Sequence, residues 1–150
     1  SIQKVVNHMS NHPFGHSISS DDIKDTLGFV DSWEERYKYI IDLGKDLPEL
    51  PGAKRTEDRL VRGCQSQVWI DEDIVEGRVQ LAVDSDAFIV KGLLCIILAA
   101  YNNRTPQDIL DFDIEAYFAE LELLNHLSAS RGNGLRAMVA RIQSIARSAL

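Results

Sequence analysis

The sequence predicts an α+β domain: a small antiparallel sheet of about three strands packed against several α-helices. Two observations carry this. Apolar and polar residues alternate with period two only in a central stretch near residues 65–83, while capped segments of helical periodicity occupy both flanks. In addition, 150 residues with 45% apolar and 26% charged side chains suffice for one buried core.

Residues 1–18 carry Pro13, Gly15 and the histidines His8, His12 and His16 without sustained periodicity, so they are expected to form a flexible N-terminal arm before a domain over 19–150. Ser20 is placed to cap a short helix through Leu27, ended by Gly28. Ser32-Trp33-Glu34-Glu35 reads as a capping box, after which Trp33, Tyr37, Ile40 and Ile41 share one helical face and Gly44 is placed to terminate it. The prolines and glycine of Leu47-Pro48-Glu49-Leu50-Pro51-Gly52 then turn the chain into a polar connection ending near Gly63. Gln65 to Ile70 suits a strand, Val79, Leu81 and Val83 alternate with polar or small residues in a second, and Glu76-Gly77 is the expected hairpin turn. Asp84-Ser85-Asp86 reads as the N-cap of a nearly all-apolar helix from Ile89 to Tyr101. Thr105 with Pro106 opens another helix, Ile114 to Leu124 forms a further one, and Leu135 to Leu150 closes the chain with Met138, Ile142 and Ile145 on one side.

A net charge of −7 argues against a nucleic-acid partner, because phosphate affinity is built on clustered Lys and Arg. The longest apolar run, Leu93 to Tyr101, falls well short of the ~20 residues of a membrane span. The opening Ser1-Ile2-Gln3-Lys4 lacks the apolar core and cleavage pattern of a secretion signal, so a cytoplasmic location is expected and both cysteines are expected to be free thiols.

Cys64 lies where the polar connection meets a strand, with Gly63 before it and Arg62 beside that. Glycine removes bulk next to the sulfur and permits unusual backbone angles, and the arginine can favour a thiolate, so the placement suits a reactive thiol as well as a loop cysteine that is merely buried. Cys95, within Leu93-Leu94-Cys95-Ile96-Ile97-Leu98, reads instead as a small core hydrophobe.

The octet Gly63-Cys64-Gln65-Ser66-Gln67-Val68-Trp69-Ile70 resembles the signature of the SufE family of sulfur acceptors. The resemblance continues in Trp33-Glu34-Glu35-Arg36-Tyr37, Ile40-Ile41-Asp42-Leu43-Gly44, Leu47-Pro48-Glu49-Leu50, Asp84-Ser85-Asp86-Ala87 with Ile89-Val90-Lys91-Gly92-Leu93, Thr105-Pro106-Gln107-Asp108-Ile109 and His126-Leu127-Ser128-Ala129-Ser130-Arg131 with Gly134-Leu135, in collinear order over most of the domain. His12-Pro13-Phe14-Gly15 is instead similar to the start of CsdE, the paralogue serving a second desulfurase, whereas Gln65-Ser66-Gln67 has the SufE form. The resemblance implies a SufE/IscU-like fold and a sulfur carrier that is not an enzyme in its own right. Cys64 would accept a persulfide from a SufS- or CsdA-like cysteine desulfurase, stimulate it, and pass sulfur to a downstream acceptor or cluster scaffold. Gly63, Gln65, Asp86 and Arg131 would be supporting or partner-contacting residues. Arg131 could steady a persulfide anion or form a surface salt bridge, and Asp86 could complement a helix dipole or take part in freeing the cysteine loop. No cofactor or metal is expected: pyridoxal phosphate would belong to the desulfurase, and Pro13 and Gly15 spoil the helix that could stack His8, His12 and His16 around an ion.

Two rivals stand beside this reading. A cysteine-nucleophile hydrolase needs a histidine able to reach Cys64, from His126 or the arm. No nucleophile elbow surrounds Ser128-Ala129-Ser130, where capping by Ser130 is the better reading. A cluster scaffold would need more thiolates than two cysteines supply.

Overall fold

The computed structural model describes residues 11–150, which form six α-helices, two short 3-10 turns and one hairpin. In chain order these are α1 (Ser20–Gly28), α2 (Trp33–Gly44), β1 (Val68–Val75), β2 (Arg78–Ser85), α3 (Phe88–Tyr101), α4 (Pro106–Asp111), α5 (Ile114–Glu120) and α6 (Ala129–Ser148). The α+β expectation holds. The hairpin turns through Glu76 (φ 52°) and Gly77 (φ 77°), two successive left-handed residues whose twist matches that of the flanking strands. This fixes the register from Val75 opposite Arg78 to Val68 opposite Ser85.

The sheet has two strands rather than about three. The expected third is reduced to a bridge between Leu60 and Trp69, with Val61 N–H donating to Val68 O (2.8 Å) and Ile70 N–H to Arg59 O (2.9 Å). Pairing stops there because the chain must leave the sheet at once to build the cysteine loop. On the other side, Val79 exchanges backbone bonds with Arg104 and Asn103, Leu81 N–H donates to the Asn102 side chain (2.8 Å), and His12 Nε2 donates to Leu81 O (2.9 Å). Both outer edges are therefore satisfied at these positions. β1 starts at Val68 and not Gln65, because Gln65–Gln67 bend away toward α3.

α3 is the central element, buried from Leu93 to Tyr101. Its approach to α2 is closer than side chains allow: a Cβ built on Gly92 would stand 2.0 Å from Ile40 O, and one on Gly44 would meet Lys91 Cβ at 3.0 Å. The residue after Gly44 is right-handed helical (Lys45 φ −68°), so Gly44 ends α2 without a left-handed cap and serves helix contact instead. Asp84-Ser85-Asp86 does not cap α3. The N-cap is Ala87, which makes no side-chain cap bond, because the three polar residues are used elsewhere. α1 is capped by Ser19 with Asp22 as a reciprocal capping box, one residue before the expected Ser20. α6 begins at Ala129, earlier than the expected Leu135, with Ser128 rather than Ser130 as its cap, so Gly132 and Gly134 lie inside the helix despite their low helical propensity.

The described part of the stretch expected to be an arm lies on the body. Phe14 is 0% exposed, Asn102 Nδ2 donates to Phe14 O (2.8 Å), and Gly15, at φ 83°, fits where any Cβ would fall 2.3 Å from Asn102 O.

Gly92→Ala should lower stability by about 3 kcal/mol, since the new methyl can be accommodated only by moving α2 off α3. Gly28→Ala, at the end of α1 with nothing within 4 Å, should be neutral or slightly stabilising. Urea unfolding of both variants checks this, and equal midpoints would mean that the two helices are not held at glycine distance.

Candidate functional site

The loop bearing Cys64 is closed at its neck by the Val61–Val68 backbone bond, so residues 62–67 form a short excursion standing on β1. Gly63 makes the turn at φ 94°, the left-handed region glycine enters at little steric cost, and it lies against Ala137 of α6. Cys64 is thereby directed toward α6, half-buried, with Sγ 3.6 Å from the carbonyl oxygen of Gly134, to which the thiol donates. A cleft of about 100 Å³ opens beside the sulfur, lined by Gln65, Ser66, Val90, Leu93, Ser130, Arg131 and Met138.

Two carboxylates hold this loop and its surroundings. Asp86 Oδ1 accepts from Gln67 N–H (3.0 Å) while its own N–H donates to Gln67 O (3.3 Å), a reciprocal pair that latches the loop to the residues before α3. Asp84, 1% exposed, accepts from Leu50 N–H (2.9 Å), Arg55 Nη2 (2.8 Å) and Ser85 N–H (2.8 Å), with Lys91 Nζ at 3.6 Å. The Arg55 guanidinium also lies over Trp69, its carbon 5.6 Å from the ring centre, tying the polar connection to β1.

Burial pushes the Cys64 thiol above its ordinary pKa, and no neighbouring charge offsets it. The expected help from Arg62 is absent: that residue points into solvent. Arg131 lines the cleft, is exposed, and forms no ion pair among the described residues. Cys95 is fully buried, donates to Leu43 O (3.5 Å) and has its pKa strongly raised, which makes it chemically inert.

No described histidine lines the cleft. His126 is stacked on Trp33 (3.8 Å between ring centres) with Nδ1 donating to Glu122 O (3.1 Å), and His12 is buried with its pKa lowered by desolvation. The hydrolase reading thus lacks its base among the described residues. His8 lies outside them. Among the described residues no group of three His, Cys, Asp or Glu side chains is set to hold a metal, and no helix is long and apolar enough to cross a membrane.

A family model described as SufE, an Fe-S metabolism associated domain, matches residues 21–146. The chain belongs to the SufE family. That membership places it in iron–sulfur metabolism. It is 42% identical over 130 residues to an uncharacterised SufE-like protein of Rhizobium meliloti strain 1021, covering 84% of this chain and 93% of the relative. A solution structure of a hypothetical protein from Thermus thermophilus shares the SufE-type fold seen here, with TM-score 0.71 over 87% of this chain and 94% of that one at 20% identity.

Of the residues singled out from sequence, Cys64, Gln65 and Arg131 meet in the cleft, Gly63 shapes the loop, and Asp86 latches it. Gly134 and Val90 stand out in the sequence only within the motifs of the resemblance and Met138 only on a helix face; none is given a role at the sulfur, to which only the helix packing brings them. Sequence reasoning missed Asp84 as an organiser; an acidic residue at the end of an apolar strand was the available signal.

Iodoacetamide reacts with thiolate, so a thiol held above its ordinary pKa should alkylate slowly and keep accelerating about tenfold per pH unit beyond the point where the urea-unfolded chain levels off. The same shift removes stability as pH rises from the unfolded thiol's pKa through the folded one, because the unfolded state then holds fewer protons. Asp86→Ala should speed Cys64 alkylation several-fold by releasing Gln67, while Asp111→Ala on α4 should not. Equal rates for the two variants would mean that the latch does not control access.

Proposed function

We propose that this protein accepts sulfane sulfur from a cysteine desulfurase as a persulfide on Cys64, stimulates that enzyme by removing its product, and hands the sulfur on toward iron–sulfur cluster assembly. The observation that carries this reading is the seating of Cys64: a half-buried thiol on a latched loop, beside a cleft to which the described residues bring no histidine, acid pair or second thiol. Such a thiol suits receiving a group, holding it away from solvent and giving it up when a partner opens the loop.

In the transfer, the Cys64 thiolate attacks the outer sulfur of the desulfurase persulfide. A new bond forms from Cys64 Sγ to that sulfur, the old sulfur–sulfur bond breaks, and the desulfurase cysteine leaves as thiolate. Raised pKa opposes the attack in the free protein, so the partner must shift the loop toward a more solvated thiol. Asp86 is suited to gate that motion, and Arg131 to attract the anionic product, its guanidinium being free of an ion pair among the described residues. Phe88, 78% exposed on the first turn of α3 just beyond the latch, adds an apolar anchor for a docking partner on this face.

After mixing with a desulfurase and cysteine, mass spectrometry should find one added sulfur on the Cys64 peptide. Cys64→Ser should abolish both the mass shift and the stimulation. Cys95→Ser should retain them while losing about 1–3 kcal/mol of stability to a hydroxyl buried in an apolar site. Full stimulation by Cys64→Ser without added thiols would overturn the carrier mechanism.

Phe88→Ser should raise the acceptor concentration needed for half-maximal stimulation by about tenfold, whereas Phe29→Ser, equally exposed at the end of α1, should leave the curve in place. Superimposable curves would move the docking face elsewhere.

A further inference from the structure

The position facing the reactive sulfur is a glycine that the free protein does not require. Gly134 sits in the second turn of α6, has ordinary helical backbone angles, and is buried. Glycine inside a helix is less favourable than alanine, because it gives up more backbone freedom on folding. Steric need normally explains such a residue, as at Gly92, where a Cβ would collide with backbone. At Gly134 no collision exists: an added Cβ would lie 3.5 Å from Cys64 Sγ and 3.9 Å from its Cα and Cβ, all ordinary contact distances. The unloaded protein would accommodate alanine and gain from it.

The space becomes necessary once Cys64 carries a second sulfur. That atom would be bonded about 2.05 Å from Sγ and, like Sγ, is a large sphere that must fit between the loop and α6. The cleft beside Sγ is small, about 100 Å³, and Gly134 forms the part of its wall next to the sulfur, with Met138 one turn further along. A methyl group at position 134 would take the volume adjoining Sγ and push the outer sulfur toward the open mouth, where Gln65 and Arg131 face solvent.

Loading also changes the hydrogen bonding. In the free protein the thiol hydrogen of Cys64 is donated to Gly134 O. Once Sγ is bonded to a second sulfur it has no hydrogen to give, and the hydrogen, where present, resides on the outer sulfur. As part of α6 that carbonyl keeps the backbone amide one turn on as its partner, so losing the thiol hydrogen leaves it satisfied and lets the outer sulfur settle along α6 beside Gly134.

We propose that Gly134 is the positioning residue for the carried sulfur, its missing side chain providing the seat in which the outer sulfur of the Cys64 persulfide is sheltered from reductants. This rests on the sulfur-acceptor reading above, and the test separates the two. The full chain and its Gly134→Ala and Gly132→Ala variants are loaded in two ways: by a desulfurase with cysteine, and by inorganic polysulfide, from which the Cys64 thiolate takes one sulfur and releases the shortened polysulfide. Dithiothreitol is then added. It removes the outer sulfur as hydrosulfide, becomes oxidised to its cyclic disulfide and regenerates the Cys64 thiol, and the mass of the Cys64 peptide is followed with time.

Gly134→Ala should fold with an unchanged or higher Tm, alkylate its unloaded Cys64 within about twofold of the unsubstituted chain, yet lose the persulfide roughly tenfold faster. Gly132→Ala is the control, since its methyl would meet only Leu124 at 3.8 Å, and its persulfide should survive as long as that of the unsubstituted chain. Equal persulfide lifetimes for the Gly134 and Gly132 variants would overturn the proposal, as would a parallel change in thiol alkylation, which would mark a general loosening of the loop. If the unsubstituted chain takes no sulfur from the desulfurase but is loaded by polysulfide, the acceptor reading fails, while the polysulfide arm still decides whether Gly134 shelters the outer sulfur.

Discussion

The arrangement around the cysteine depends on one buried carboxylate. Asp84 stands near the end of β2 with almost no contact with water, and an ion in that position is tolerated only if surrounded by donors. Meeting that demand draws in the amide of Leu50, the guanidinium of Arg55 and the ammonium of Lys91, which belong to the polar connection and to α3. The polar connection, the end of β2 and the first turn of α3 are thereby fixed around the base of the cysteine loop. Removing one partner would leave the others around an undercompensated charge, so the cluster acts as a unit.

On this frame the loop itself is held lightly. Its neck is a single backbone bond, its flank is the reciprocal Asp86–Gln67 pair, and its tip rests on α6 through a long thiol-to-carbonyl contact. These are few interactions beside the packing of α2 on α3. A rigid body with a weakly latched loop fits the proposed carrier, whose sulfur would be concealed in one state and reached in another.

Much of this was legible from residue patterns. Periodicity and its cap located α2, Thr105 with Pro106 located α4, a continuous apolar run located α3, and Glu76-Gly77 gave the hairpin turn, because these features are local. Errors arose where tertiary demands override local preference. Asp84-Ser85-Asp86 looks like a helix cap, yet its carboxylates serve a loop and an ion cluster. The sequence pattern starts α6 at Leu135, yet the helix runs through Gly132 and Gly134 from Ala129. Arg62 looked able to stabilise a thiolate, but solvent exposure and the burial of the sulfur give the opposite shift. The cleft could not be read from sequence at all, since its walls come from the loop, α3 and α6, and only packing unites them.

The satisfied edges of the hairpin carry a consequence for how the molecule meets others. Two-stranded sheets ordinarily present rows of unpaired amides and carbonyls that invite a further strand, from a partner or from another copy. Here Val68 and Ile70 on one side are occupied by the chain approaching the cysteine, while Val79 and Leu81 on the other are occupied by Asn102, Asn103, Arg104 and His12. Strand addition is blocked at these positions. Recognition at these positions is left to side chains and loops, which favours brief, exchangeable encounters over zippered assembly and would suit the single-atom hand-off proposed above.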